Sequence, residues 1–198
     1  MNTVIIQYNA GNIQSVLYAF ERLGVSATVT DNIDAIQSAD RVIFPGVGEA
    51  STAMAYLKER NLDQLIINLK QPVLGICLGM QLMCSYSEEN DTKCLGIFEE
   101  QVKLFKPTES TIKVPQMGWN NIFDLKSDLF NGVAENSFTY FVHGYYASLG
   151  VHTIATTNYV QPYSSGLHKD NFYGVQFHPE KSANTGAQII QNFLNLQP

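Results

Sequence analysis

The chain is expected to fold as an α/β domain with a mostly parallel central sheet, helices on both faces and a more β-rich C-terminal half. Three observations predict this. Short apolar, β-prone runs alternate with segments of helical period through the first half. Strand-like runs dominate the second half before a closing helix. The unusual local sequences fall where strands end, at the carboxyl edge where open α/β sheets carry their sites.

Taken in order, residues 4–8 form a short apolar strand, and residues 12–23 follow as a helix with Ile13, Val16, Leu17 and Phe20 on one stripe. Residues 27–30 and 41–44 read as strands, the second running into Pro45-Gly46-Val47-Gly48. Helical stretches cover residues 50–60 and 62–69. A buried strand at 72–76 leads into a helix at 78–86. Beyond it, residues 101–105, 139–142, 152–156 and 172–176 read as strands. The helix at 183–196 turns Ile189, Ile190, Phe193 and Leu194 inward. Strands that alternate with helices make βαβ units and hence parallel pairing. No repeat or linker-like tract interrupts the 198 residues, so they are read as a single domain, 1–198.

Composition narrows the function. At 45% hydrophobic and 15% charged residues the chain carries enough apolar material for a sizeable core. The formal net charge of -6 and the lack of any Lys/Arg cluster argue against a nucleic-acid surface. No run approaches the roughly 20 apolar residues of a membrane span. The N-terminus reads as a first strand rather than a signal peptide. Three cysteines without framework spacing point to a reducing, cytoplasmic setting, and no Cys/His pair has zinc-ligand spacing, so no metal is expected.

The sharpest local signal is Gly75-Ile76-Cys77-Leu78-Gly79, between the buried strand and its helix. This is the small-x-nucleophile-x-small pattern of a nucleophile elbow, with sulfur in place of hydroxyl. A tight strand-to-helix turn brings neighbouring backbone close, so the flanking residues must be small. The turn lifts the Cys77 side chain out of the sheet and sets it at a helix N-terminus, where free N–H groups favour a thiolate. Cys84 reads as core filler, and Cys94 has no distinguishing context.

A nucleophilic cysteine needs a base, and the base needs an orienting group. In Gly174-Val175-Gln176-Phe177-His178-Pro179-Glu180, the proline biases His178 toward extended geometry. Residues i and i+2 of an extended segment share a side, so Glu180 can hold one ring nitrogen of His178 and leave the other for Cys77. His143 is a weaker alternative base, since no carboxylate stands near it in the chain.

Gly75-Ile-Cys-Leu-Gly-Met-Gln81 and Gly174-Val-Gln-Phe-His-Pro-Glu180 together resemble the two signature motifs of the class I, triad-type glutamine amidotransferases. Further stretches narrow the resemblance to the glutaminase subunits of imidazole glycerol phosphate synthases, in histidine biosynthesis. They are Tyr8-Asn9-Ala10-Gly11-Asn12, Phe44-Pro45-Gly46-Val47-Gly48, Lys113-Val-Pro-Gln-Met-Gly-Trp-Asn120, Tyr140-Phe-Val-His-Gly-Tyr-Tyr146 and the final Lys181-Ser182. Departures from the family pattern stand at Gln7, Asn9, Gln116 and Gly144, none of them in the triad.

The resemblance implies a glutaminase with Cys77, His178 and Glu180 as its triad. The backbone N–H groups of Leu78 and Val47 would form the oxyanion hole, the second after a turn of its peptide. Gly46, Gly48, Gln81 and Glu89, with the backbone of His143, Gly144 and Tyr145, would hold glutamine. The implied partner is a (β/α)₈-barrel cyclase subunit, bound one-to-one as a heterodimer through Asn12, Trp119, Tyr145 and Lys181. It would take the ammonia to make imidazole glycerol phosphate and aminoimidazole carboxamide ribotide, and no cofactor is implied. Rival readings are an amidotransferase subunit serving another acceptor synthase, such as one of surface-sugar biosynthesis, another thiol hydrolase of this fold, and a non-catalytic subunit that keeps the fold.

Overall fold

The computed structural model of the chain describes residues 1–9 and 13–196. Its first half runs β1 (Thr3–Ile6), α1 (Ile13–Arg22), β2 (Ala27–Thr30), α2 (Ile33–Gln37), β3 (Arg41–Phe44), α3 (Ala50–Glu59), α4 (Leu62–Ile67), β4 (Val73–Ile76) and α5 (Leu78–Met83). The second half adds β5 (Tyr86–Ser87), β6 (Thr92–Lys93), β7 (Gln101–Leu104), β8 (Gln116–Ile122), β9 (Ser137–His143), β10 (Tyr145–Ala147), β11 (Thr153–Asn158), β12 (Pro162–Lys169), β13 (Phe172–Val175) and α6 (Ala183–Asn195). Two 3₁₀ turns, Asp128–Phe130 and Pro179–Lys181, complete it.

Among the described residues the main sheet has 11 strands, in the order β2-β1-β3-β4-β13-β12-β10-β7-β5-β6, with β11 paired to β12. Pairing is parallel throughout the block β2-β1-β3-β4-β13. From β13 through β12 and β10 to β7 it is antiparallel, which is the β-rich second half expected from the sequence. Strands β8 and β9 form a separate two-stranded sheet.

Alternate residues of the parallel strands feed cores on opposite faces, as period-two geometry requires. Val4, Ile6, Val42 and Phe44 pack with Leu57, Leu65 and Ile66 on one side. Ile5, Ile43, Leu74 and Ile76 pack with Phe20, Ile189 and Phe193 on the other. Ile189, Ile190, Phe193 and Leu194 of α6 are buried as the periodicity predicts. Each fully buried side chain of this size contributes roughly 1.5–3 kcal/mol.

Several elements differ from the sequence reading. The helix after Cys77 stops at Met83 rather than reaching residue 86. The carbonyls of Leu82, Met83 and Cys84 accept from the N–H groups of Leu95, Ile97, Phe98 and Gly96 at 2.8–2.9 Å, so a crossing loop replaces the helical bonds. Helix α2 is one short turn, capped by Asn32, whose side chain accepts from Ala35 N–H at 2.9 Å. Strands β8 and β12 escape the alternation test because of their composition. β8 reads Gln-Met-Gly-Trp-Asn-Asn-Ile, and β12 buries Ser164 and Ser165. Among the described residues no helix is long and apolar enough to cross a membrane. Cys77, Cys84 and Cys94 are all free and buried.

Gly79 lies where α5 crosses the end of β3. A Cβ there would fall onto the Phe44 carbonyl, with the carbonyl carbon only 2.8 Å away. Backbone on both sides leaves little room to yield, so Gly79→Ala should destabilise the fold by about 1–3 kcal/mol. The expected reading is a lower urea midpoint at unchanged slope; an unaltered midpoint contradicts this packing account.

Candidate active site

The nucleophile turn is built by contact between backbones. Strand β4 is buried at every position, and Cys77 follows it at φ 53°, ψ -109° as the N-cap of α5. A positive φ in a non-glycine residue costs of order 1–3 kcal/mol and persists only where its surroundings hold it. Cys77 N–H donates to the Val175 carbonyl at 2.8 Å, and the Cys77 carbonyl accepts from Gln81 N–H at 3.2 Å. A Cβ on Gly75 would stand 2.9 Å from Gly79 C and Met80 N. The small flanking residues are therefore a steric requirement of the elbow.

Strand β13 pairs parallel to β4, with Val175 opposite Ile76 and Gly174 opposite Gly75. The segment that follows it therefore passes beside Cys77. His178 Nδ1 lies 2.8 Å from Glu180 Oε1, and both side chains are almost completely buried. That bond occupies Nδ1 only, and His178 and Cys77 line the same cavity. The pair does not lie in one extended segment, as the i, i+2 argument expected. His178 is extended, but Pro179–Lys181 form a 3₁₀ turn. The fixed φ of proline suits the first position of such a turn, and the turn carries Glu180 back beneath the imidazole. His178 is anchored further by its N–H to the Tyr140 carbonyl at 2.9 Å and by Ser182 Oγ to its own carbonyl at 2.6 Å.

The two buried histidines near the sulfur are tuned in opposite directions. Burial by itself disfavours the His178 cation, but hydrogen bonds with Cys77 and Glu180, and the charges of both, push it up to about 10. Burial pushes His143 down to about 4, against its bond to the Tyr145 carbonyl and with the help of His178. A carbonyl only accepts, so the 2.7 Å contact from Nδ1 of His143 to Tyr145 O makes Nδ1 the protonated nitrogen. Its Nε2 faces Tyr163 Oη at 3.2 Å. Both nitrogens are engaged away from the sulfur.

Above the sulfur is a cavity of about 320 Å³. Of the residues expected around glutamine, Gly48, Gln81, Glu89, His143, Gly144 and Tyr145 line it; Val47, Leu78 and Lys181 do as well. Pro115 and Val142 also line it, although the sequence reading did not single them out. Gly46 sits just behind, packed against Tyr8 Oη, which donates to the Pro45 carbonyl at 2.6 Å. Glu89 Oε2 accepts from Ala50 N–H at 2.8 Å, so one carboxylate oxygen is held by the start of α3. Gln81 differs from expectation in one respect. Its amide nitrogen donates to the Tyr145 carbonyl at 2.9 Å and to Gln176 Oε1 at 2.8 Å, which leaves only its oxygen for a ligand.

Neither of the two expected oxyanion donors faces the site in this arrangement. Leu78 N–H donates to the Gly46 carbonyl at 3.2 Å. The peptide joining Gly46 to Val47 is planar and its N–H and C=O point opposite ways. Val47 N–H is therefore directed away from Leu78. Gly48, at φ +122°, supplies backbone freedom next to that peptide.

Of the expected partner-facing residues, Tyr145 and Lys181 line the cavity. Trp119 is 53% exposed and meets Tyr140 edge-on. It stands on the outward face of the β8–β9 sheet with Met117 and Phe138, both also exposed. Lys181 is exposed at the rim, whereas Asn12 lies outside the described residues. Among the described residues no group of three His, Cys, Asp or Glu side chains is placed to hold a metal ion.

Comparison with known proteins agrees with this geometry. The family described as glutamine amidotransferase class-I matches residues 4–196. Imidazole glycerol phosphate synthase subunit HisH of Bacteroides fragilis is 58% identical over 196 residues, covering 99% of this chain and 100% of that protein. The protein of the same name from Haemophilus influenzae is 45% identical over 199 residues, covering 100% and 99%. Among solved structures, a glutamine amidotransferase from Thermotoga maritima shares the fold at a TM-score of 0.63. It is 19% identical, and the match covers 98% of this chain and 83% of that one. A family match from the first strand to the closing helix, joined to a full-length relative at 58% identity, carries the conclusion: this chain belongs to the class I glutamine amidotransferases.

Proposed function

We propose that the chain is the glutaminase subunit of an imidazole glycerol phosphate synthase, hydrolysing glutamine to glutamate and ammonia for a cyclase partner. The observation that carries this reading is the buried line from Glu180 through His178 to Cys77 at the floor of one cavity. The names of the full-length relatives support the histidine-pathway assignment.

In this reading the Cys77 sulfur attacks the carboxamide carbon of glutamine while His178 holds the thiol proton. The carbonyl π pair moves to oxygen. As the tetrahedral intermediate collapses, His178 Nε2 gives its proton to the departing nitrogen, the C–N bond breaks and ammonia leaves. Water then attacks the thioester as His178 removes its proton. Glutamate departs and the thiol returns. Glu180 keeps the imidazole in orientation and stabilises its cation.

The oxyanion requires donors at the place where charge develops. At rest Leu78 N–H is taken by Gly46 and Val47 N–H points away. Rotation of the Gly46–Val47 peptide would free the first donor and bring in the second. The loss of one such donor typically costs about 100- to 1000-fold in rate. Coupling that rotation to partner occupancy would prevent wasteful glutamine hydrolysis. The partner is a (β/α)₈-barrel cyclase bound one-to-one over the cavity mouth. The exposed face that holds Trp119 and Met117, with Lys181 at the rim, is its docking side, and Tyr145 and Asn12 complete the expected contacts. No cofactor takes part, and a cytoplasmic setting fits a biosynthetic pathway of small polar intermediates.

Three outcomes test this. Cys77→Ala should abolish glutamine-dependent synthesis by the assembled complex and leave ammonia-dependent synthesis near wild type; equal loss of both contradicts separate sites. The glutaminase chain without its partner should hydrolyse glutamine at least about 100-fold more slowly than the complex, and a full rate in isolation would remove the loop from the mechanism. Finally, Cys77 is the first of the partners that raise His178, so Cys77→Ala should let the imidazole lose its proton well below pH 10. Nitrogen NMR titration of His178 reads this directly; an unchanged midpoint means sulfur and ring are not coupled.

A further inference from the structure

Gln176 lies in the second signature motif but takes no part in the triad. It is completely buried, in a segment otherwise apolar on both sides: Val175 and Phe177 are also fully buried. A buried amide is costly unless its hydrogen bonds are met, so a glutamine in such a place needs partners. Its side-chain oxygen accepts from Gln81 Nε2 at 2.8 Å, and its own Nε2 stands 3.7 Å from Cys77 Sγ, 99 positions away in the chain.

The orientation of this amide follows from chemistry rather than from placement of atoms of similar size. The Tyr145 carbonyl can only accept, so the Gln81 atom 2.9 Å from it must be nitrogen. That nitrogen's second hydrogen then meets Gln176, and the Gln176 atom facing it must be oxygen. The remaining end of Gln176, aimed at the sulfur, is therefore the NH₂ group. The sulfur has one other polar neighbour of opposite preference. The Val142 carbonyl, at 3.9 Å, accepts from an S–H and repels a thiolate.

We propose that Gln176 is a catalytic residue that donates an N–H to the Cys77 sulfur and favours its thiolate, with Gln81 as the positioning residue that fixes the direction of the amide. The inference rests on the reading of Cys77 as the nucleophile. It gives Gln81 a second duty beside lining the cavity. It also explains why a polar residue is retained inside an apolar strand end: the amide is the donor that offsets the Val142 carbonyl across the sulfur. The relay begins at Tyr145, a backbone position on the cavity wall, so movement of that wall reaches the sulfur through two amides.

The test is alkylation of Cys77 by iodoacetamide in the full-length protein, followed by peptide mass spectrometry. Cys84 and Cys94 do not compete, because burial raises the first thiol and pushes the second up to about 12. Gln176→Met keeps length and removes the donor. It should slow alkylation of Cys77 roughly tenfold near neutral pH, the loss expected for a hydrogen bond to a charged group. The deficit should shrink as pH rises and the thiolate forms without help. Gln176→Glu still accepts from Gln81 but sets an anion against the sulfur, so it should be slower still. Should the methionine variant not fold, the glutamate variant decides, and Gln81→Met, which leaves Gln176 in place but unclamped, should lose several-fold. Alkylation at the wild-type rate in the folded variants overturns the proposal, as does a deficit that stays constant to alkaline pH, which marks altered packing. Failure of the nucleophile reading is distinguishable: Cys77→Ala would then retain glutamine-dependent synthesis.

Discussion

The parallel pairing of β13 with β4 is the contact on which the site depends. It sets Val175 opposite Ile76 and ties Cys77 N–H to the Val175 carbonyl. Two segments from opposite halves of the chain thereby end at one place, one in a sulfur and the other in an imidazole. The pairing is tight for steric reasons. A Cβ on Gly174 would press on Met80 of α5, and one on Gly75 would meet the backbone of Gly79 and Met80. The elbow helix thus lies almost directly on the strands that lead to Cys77 and His178, and the left-handed backbone of Cys77 is held from both sides.

Partners, not burial, sort the two histidines electrostatically. His178 and His143 are nearly equally hidden, yet one is pushed up to about 10 and the other down to about 4. The difference lies in their partners. His178 has a carboxylate on one nitrogen, and Cys77 raises it further. His143 has a neutral carbonyl and a phenol. An imidazole that must cycle its proton needs the first environment, and one that serves as fixed scaffolding suits the second.

The loop from Pro45 to Gly48 combines rigidity with freedom. Tyr8 holds the Pro45 carbonyl, and Gly46 is wedged against Tyr8 and Leu78. One residue further on, Val47 is 37% exposed and Gly48 adopts a backbone open mainly to glycine. The peptide between Gly46 and Val47 therefore lies at the boundary between an anchored and a free segment. Val47 and Gly48, on the free side, line the cavity.

Local sequence determined the elbow, because only small residues fit at 75 and 79 and the order strand, cysteine, helix is written in consecutive positions. It determined the inward faces of α1 and α6, since a 3.6-residue apolar period turns one stripe of a helix toward the core. It also placed His178 next to Glu180, although their bond runs through a 3₁₀ turn that the i, i+2 argument did not foresee. Other features came only from tertiary structure, because they are set by partners distant in the chain. The early end of α5 follows from a loop that takes its carbonyls. The resting direction of the Gly46 carbonyl follows from Leu78, and the engagement of His143 follows from Tyr163. The orientation of Gln176 follows from a carbonyl two amides away, so no pattern of neighbours could have revealed which end of it faces the sulfur.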